Sequence, residues 1–311
     1  MAFLNALPGA VAQGLIWGLM AIGVYISYKI LDIADLTVDG SICTGACVCA
    51  VLIGMGVPAW VSVLVALLAG AVTGVITGLL HTKLGIPSIL AGILTQLMLY
   101  TVNLLTLNGK SLLAIDPRAN QLLVNMSDNT GSVISLVIIA AITIFALYKF
   151  FYTEVGLTLK STGDNPDMSR AQGVDVNRNK VIGLAIANGI VAMAGALLAQ
   201  YKGSANINDG RGAIVIGLAA IFIGLSISLK IKPNFVVSLI GVIGGGIIYY
   251  IVYNVVILLG LKTDYLKMLS ALIVALFLGI PYLKATYFTK YKDLHPSQIT
   301  SQNGPGGDDN A

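Results

Sequence analysis

Charge is scarce in this sequence: Asp, Glu, Lys and Arg together make up 10% of its 311 residues. A soluble globular chain carries about 25%. So few charged groups cannot clothe a soluble surface of this size, and that class is excluded. Histidine is nearly missing, with 2 residues, and cysteine amounts to 3. Cys43, Cys47 and Cys49 share one apolar run with no histidine near them in sequence. Their spacing matches no zinc signature, so they read as small buried side chains, and neither a metal site nor a cofactor is expected. Basic residues are few and scattered between apolar runs, with a net charge of +4. That pattern gives no nucleic-acid footprint. The opening MAFLNALPGA has no Lys or Arg. A cleaved secretory signal needs a basic start, so the first apolar run is expected to stay as a span.

What remains is apolar, at 57% of residues. Runs of about 20 apolar residues, the length that crosses a hydrocarbon core as a helix, recur along the chain. The expected fold class is an all-α polytopic membrane protein embedded in the lipid bilayer; a barrel would show short alternating segments instead. Nine transmembrane helices are expected, near 10–30, 39–57, 59–80, 87–107, 132–150, 180–201, 213–230, 234–260 and 265–284. Pro58, Pro87 and Pro233 stand at or near span starts, where a missing N–H costs little. Residues 1–291 read as one transmembrane domain with a polar loop over 151–180, and 292–311 as a disordered tail. Placing that loop in the cytoplasm and alternating outward leaves a clear Lys/Arg excess inside, with Lys110, Arg118, Lys202, Arg211, Lys262 and Lys267 outside. The N-terminus then lies outside and the C-terminus inside.

Two stretches resemble each other. ADLTVDGSICTGACVCAVLIGM from Ala34 and ANINDGRGAIVIGLAAIFIGL from Ala205 align Asp39-Gly40 with Asp209-Gly210, and Gly54 with Gly224. In the topology above they enter from opposite sides, as an inverted repeat does; chance similarity between Gly- and Ala-rich helices is the alternative.

The loop GLTLKSTGDNPDMSRAQGVDVNRNK (Gly156–Lys180) is the most polar stretch within the apolar body. Asn165 is a good N-cap, Pro166 suits the first helical position, and Asp167 suits the helix dipole. Gly173 stands where a C-terminal glycine belongs. The spacing predicts a short helix over about 166–172. It is too short to be stable in water alone, so something must hold it: its own protein, or a partner.

At this point the chain resembles ABC importer permeases of the branched-chain amino acid and ribose class. The likeness rests on Gly156, Leu159, Lys160, Gly163, Asn165, Ala171, Gly173 and Val176, on Gly195-Ala196-Leu197, and on ILDIADLTVDGSICTGA. Asp164 stands where the family often has Glu, and Ser161-Thr162 replace small apolar residues. Within the class the wording is most similar to tryptophan or tyrosine permeases. The resemblance implies that Gly163, Asp164, Asn165, Pro166, Asp167, Met168, Ala171 and Gly173 form a coupling loop that docks into a cytoplasmic ATPase. It further implies a second permease copy, an extracytoplasmic substrate-binding protein, a bacterial plasma-membrane location, and import of an amino acid, with a sugar or nucleoside as alternatives.

The chain itself is not expected to be an enzyme. NGKS at Asn108–Ser111 mimics a phosphate loop, but Leu104 stands where that loop needs glycine. No catalytic set and no metal spacing emerges, so ATP hydrolysis must come from another chain. Asp39, Gln96, Asn103 and Asn188 are candidates for the substrate pathway. The polar residues among them can equally bond helix to helix. Asp32, Asp35 and Asp39 read either as caps and interface groups or as transport or proton sites; on the second reading the chain would be an ion-coupled secondary transporter. Trp17 and Trp60 alone are too few to define an aromatic pocket.

Overall fold

The computed structural model describes residues 2–116, 122–231 and 234–258, and isolated positions between 268 and 279. The chain descends through α1 (Ala2–Tyr25), which ends in a π-helical turn (Ile26–Ile30). Residues 31–37 are irregular and lead into α2 (Val38–Gly54), followed by α3 (Ala59–Thr82) and α4 (Ser88–Thr106). Then come β1 (Leu112–Ala114), α5 (Asn129–Phe151), α6 (Glu154–Asp164), α7 (Pro166–Ala171) and α8 (Val176–Lys202). β2 (Ser204–Asn206), α9 (Ala213–Ile231) and α10 (Phe235–Leu258) complete the described chain. β1 and β2 pair antiparallel, with Leu113 opposite Ala205.

Six of these helices are long and apolar enough to cross a bilayer, and Val38–Gly54 and Ala213–Ser228 are shorter apolar helices. Eight of the nine expected spans thus correspond to helices. The ninth, 265–284, falls almost entirely outside the described residues, as does the tail 292–311.

α8 is the core of the bundle. Every residue from Ala187 to Tyr201 is buried, in a helix about 40 Å long at 1.5 Å per residue. Inside a bilayer, helices gain little from hydrophobicity and rely on close packing. Small residues provide it. Gly70, Gly74 and Gly78 repeat every fourth residue on one face of α3 and meet the α8 backbone at Asn188, Leu184 and Val181. Gly241 and Gly245 of α10 fit against Gly224 and Ala220 of α9 in the same way. α10 runs unbroken through its glycines; Gly246 packs on Gly14 and Gly18 of α1, and Gly244 meets open space.

Two helices start inside the bundle rather than at its ends. α1 runs antiparallel to α8, with Gly9 beside Tyr201 and Gly23 on Ala187. α2 starts halfway along α8, with Ser41 at Asn188 and Cys49 at Gln200. α9 starts against α2, where Gly210 meets the backbone of Asp39. It then follows α1 downward to the Tyr28–Phe222 ring pair. The N-termini of α2 and α9 therefore meet at depth and the helices run apart. Irregular backbone at that depth must be buried in protein with its polar groups satisfied. In 31–37, Leu31 N–H donates to Ile26 O at 3.0 Å, Ile33 N–H to Ser27 O at 2.9 Å, and Thr37 N–H to Asp35 Oδ1 at 2.9 Å.

Candidate functional site

The polar loop is a built unit. Thr153 caps α6 by accepting from Gly156 N–H at 3.3 Å. Gly156, Leu159 and Thr162 face inward at a spacing of three, and Asn179 Nδ2 donates to Thr162 Oγ1 at 3.0 Å. Gly163 presses on the carbonyl oxygen of Ile30 so closely that a Cβ there would collide with it. α6 is thereby joined to both the π-turn and α8.

α7 forms with its expected cap: Asn165 Oδ1 accepts from Met168 N–H at 3.0 Å, and Pro166 opens the helix. Gly173 turns the chain away at φ +83°, a conformation that glycine adopts without strain. Val174 N–H returns to Ser169 O at 3.0 Å. Asp164, Asn165, Pro166, Asp167, Met168, Ala171 and Gly173 are exposed, with Met168 at 59%. The exposed Asp167–Arg170 pair at 3.4 Å adds little. Behind the loop, His81 joins the ends of two helices: Nδ1 lies 2.9 Å from Ile86 O and Nε2 lies 3.3 Å from Lys180 Nζ. Sequence reading foresaw α7 and missed α6; the Thr153 cap was the available signal.

The interior holds a second constellation. Asn188, fully buried, donates from Nδ2 to Asp35 Oδ2 at 2.6 Å and accepts at Oδ1 from Ser41 Oγ at 2.6 Å. Ser41 continues to Thr73 at 2.7 Å, and Thr37 reaches Thr77 at 2.7 Å and through it Thr95. This network ties α2, α3, α4 and α8 together with hydroxyls and one carboxylate. Interface solvation does not describe Asp35, which is 2% exposed, whereas Asp32 is exposed. The distinction is one of position: the chain turns inward after Asp32, a turn that sequence spacing does not reveal.

Asp39 sits on α2 but caps α9. Its Oδ2 accepts from Gly212 N–H and its Oδ1 from Ile214 N–H, both at 2.9 Å. Charged acceptors on helix N–H groups are the stronger kind of hydrogen bond. Cys43 secures the same loop, donating to Ile207 O at 3.3 Å and accepting from Gly210 N–H at 3.1 Å.

Asp39, Gln96 and Asn103 come together on a cavity of about 300 Å³, with Gly40, Tyr100 and Arg211 also on its wall. Asn188 is not on that wall; its polar atoms are taken up by Asp35, Ser41 and Leu184 O. The N-terminal ends of α2 and α9 thus meet beside a cavity whose wall mixes apolar groups with Asp39, Gln96, Asn103 and Arg211.

Residues 7–279 match the family described as branched-chain amino acid transport system / permease component. The chain belongs to that family. It is a multi-pass membrane protein and the permease component of an ABC-type transport system. The permease is 35% identical to the tyrosine transport system permease protein of Clostridioides difficile over 280 residues, 89% of this chain and 91% of that one. It is 31% identical to an uncharacterized protein of Rickettsia prowazekii over 90% of this chain and 99% of that one. It is 25% identical to the ribose import permease protein RbsC of Escherichia coli K12, over 88% of this chain and 84% of that one. No solved structure gives a match.

Proposed function

We propose that this permease is the membrane subunit of an ATP-driven importer for an amino acid in a bacterial plasma membrane. The observation that carries the reading is α7: a capped helix, exposed on its outer side and fixed through α6 to the α1 end and α8. Ser169 packs α7 onto α6 through Ser161, so the helix is presented ready-formed with its outer face free, and a cytoplasmic ATPase would supply both the partner for that face and the energy. An extracytoplasmic binding protein delivers the solute, and two permease copies share the two ATPase copies. The tyrosine permease relative favours an aromatic amino acid, ahead of branched-chain ones, sugars or nucleosides. Asp39, Gln96 and Asn103 are assigned to the substrate pathway, and the meeting of α2 with α9 to the junction of an inverted repeat.

Ala171→Arg places a long charged side chain on the docking face. Gly173→Val forces a β-branched residue into the left-handed region, at a cost of about 1–2 kcal/mol. Each is expected to abolish co-purification of the ATPase while the permease stays inserted; the wild-type complex should carry two copies of each chain. Full-yield co-purification with both variants would sink the docking assignment. Orientation has its own check. A cysteine at Asn5 should react with a membrane-impermeant thiol reagent on intact cells and one at Ser301 should not, and reversed labelling would place α7 on the wrong side.

A further inference from the structure

A second cavity, of about 410 Å³, lies beyond the loop that carries Arg211, between α1, α9 and α10. One part of its wall is aromatic, with Trp17, Tyr249, Tyr250 and Tyr253, and another is polar, with Lys202, Asn208, Asp209 and Arg211. Trp17 stacks on Tyr250 at 5.9 Å between ring centroids, and Tyr249 and Tyr253 each pack against Tyr250 at 5.6 Å. Arg211 borders this cavity and the one beside Asp39. The two cations at its rim differ. Lys202 is paired with Asp209 at 3.2 Å. The Arg211 guanidinium has neither an ion pair nor a side-chain hydrogen bond among the described residues and is exposed. The start of α9 cannot serve as an anion site, because Asp39 already occupies its N–H groups.

We propose that this cavity is a transit subsite for an aromatic amino acid, its ring against Trp17, Tyr250 and Tyr253 and its carboxylate on Arg211. The volume lies within the range of about 300–1,000 Å³ typical of small-molecule pockets. Aromatic pairs gain from ring geometry beyond the area they bury, which separates aromatic from aliphatic side chains. A guanidinium grips a carboxylate with two parallel hydrogen bonds, which separates an amino acid from a neutral sugar that would merely stack. The proposal rests on the amino-acid reading above and adds to it a site in the permease itself. Because Arg211 faces both cavities, the carboxylate can stay on one cation while the ring moves past the Asp39 junction.

The test is ligand-observed saturation-transfer NMR on the purified full-length permease in nanodiscs, without ATPase or binding protein. The probes are L-tyrosine, tyramine, L-leucine and ribose. L-tyrosine should show ring-proton saturation that L-phenylalanine displaces, with tyramine weaker and L-leucine and ribose at background. Arg211→Gln should weaken L-tyrosine by about ten-fold, the loss of one charge-assisted contact, and leave tyramine unchanged. Tyr253→Leu should weaken both ligands. Arg211 is exposed, so its variant is expected to fold even if Tyr253→Leu does not. Equal saturation of ribose and tyrosine overturns the proposal, and so does an Arg211→Gln effect that is absent or identical for tyramine. Uptake separates this from the wider reading. ATP-driven import of tyrosine with neither binding nor sensitivity to Arg211→Gln would remove the subsite and keep the importer. Binding with no ATP-driven import would do the reverse.

Discussion

Asn188→Leu is expected to destabilise the permease by about 3 kcal/mol, well above the ~0.6 kcal/mol typical of a polar contact between membrane helices. The partner makes the difference. Asn188 Nδ2 donates to the buried carboxylate of Asp35 at 2.6 Å, and Asn188 Oδ1 accepts from Ser41. Removing the amide leaves Asp35 Oδ2 buried without its donor, while Oδ1 keeps Thr37 N–H, and leaving one buried polar partner unpaired costs far more than exchanging both partners for apolar groups. Asp35→Leu combined with Asn188→Leu should therefore recover part of the loss, although Thr37 N–H also loses its acceptor. Thermal unfolding in detergent should show the single variant roughly 6–12 °C below wild type, at about 2–4 °C per kcal/mol. The double variant should lie between them. An unchanged midpoint for Asn188→Leu would contradict the role given to the network.

Gly163→Val should separate ATP hydrolysis from transport. Gly163 lies against Ile30 O, and Ile30 ends the π-turn that leads through residues 31–37 to Asp35 and Asp39. π-turns occur often at functional sites. Overpacking of this contact costs about 1–3 kcal/mol and pushes α6 off the end of α1. α7 and its cap are untouched, so the ATPase should still bind and hydrolyse ATP. Uptake per ATP should fall about ten-fold or more, the equivalent of that energy in conformational population. Uptake and hydrolysis falling together, or neither changing, would remove α6 as the mechanical link.

The helices were legible in the sequence because a bilayer demands long continuous apolar runs, and eight of them correspond to helices. The α7 cap was legible because Asn165-Pro166-Asp167 is a local signal. Depth was not. Where Asp35 and Asp39 lie depends on the irregular 31–37 segment, which looks from sequence like an ordinary connector at a membrane surface. That Asp39 caps α9 is a contact 173 residues away for Gly212, beyond any local pattern. The aromatic cavity escaped notice for a related reason: two tryptophans are few, and Trp17 acquires tyrosine neighbours only when α10 packs on α1. Helical periodicity reports which face is apolar. It does not report which helix stops halfway.

The most direct test of the central claim is uptake by proteoliposomes holding the permease alone, with its ATPase, and with ATPase plus liganded binding protein. The account predicts accumulation of an aromatic amino acid only in the complete set and only with hydrolysable ATP inside the compartment facing α7. Accumulation driven by a proton gradient with the permease alone would contradict it.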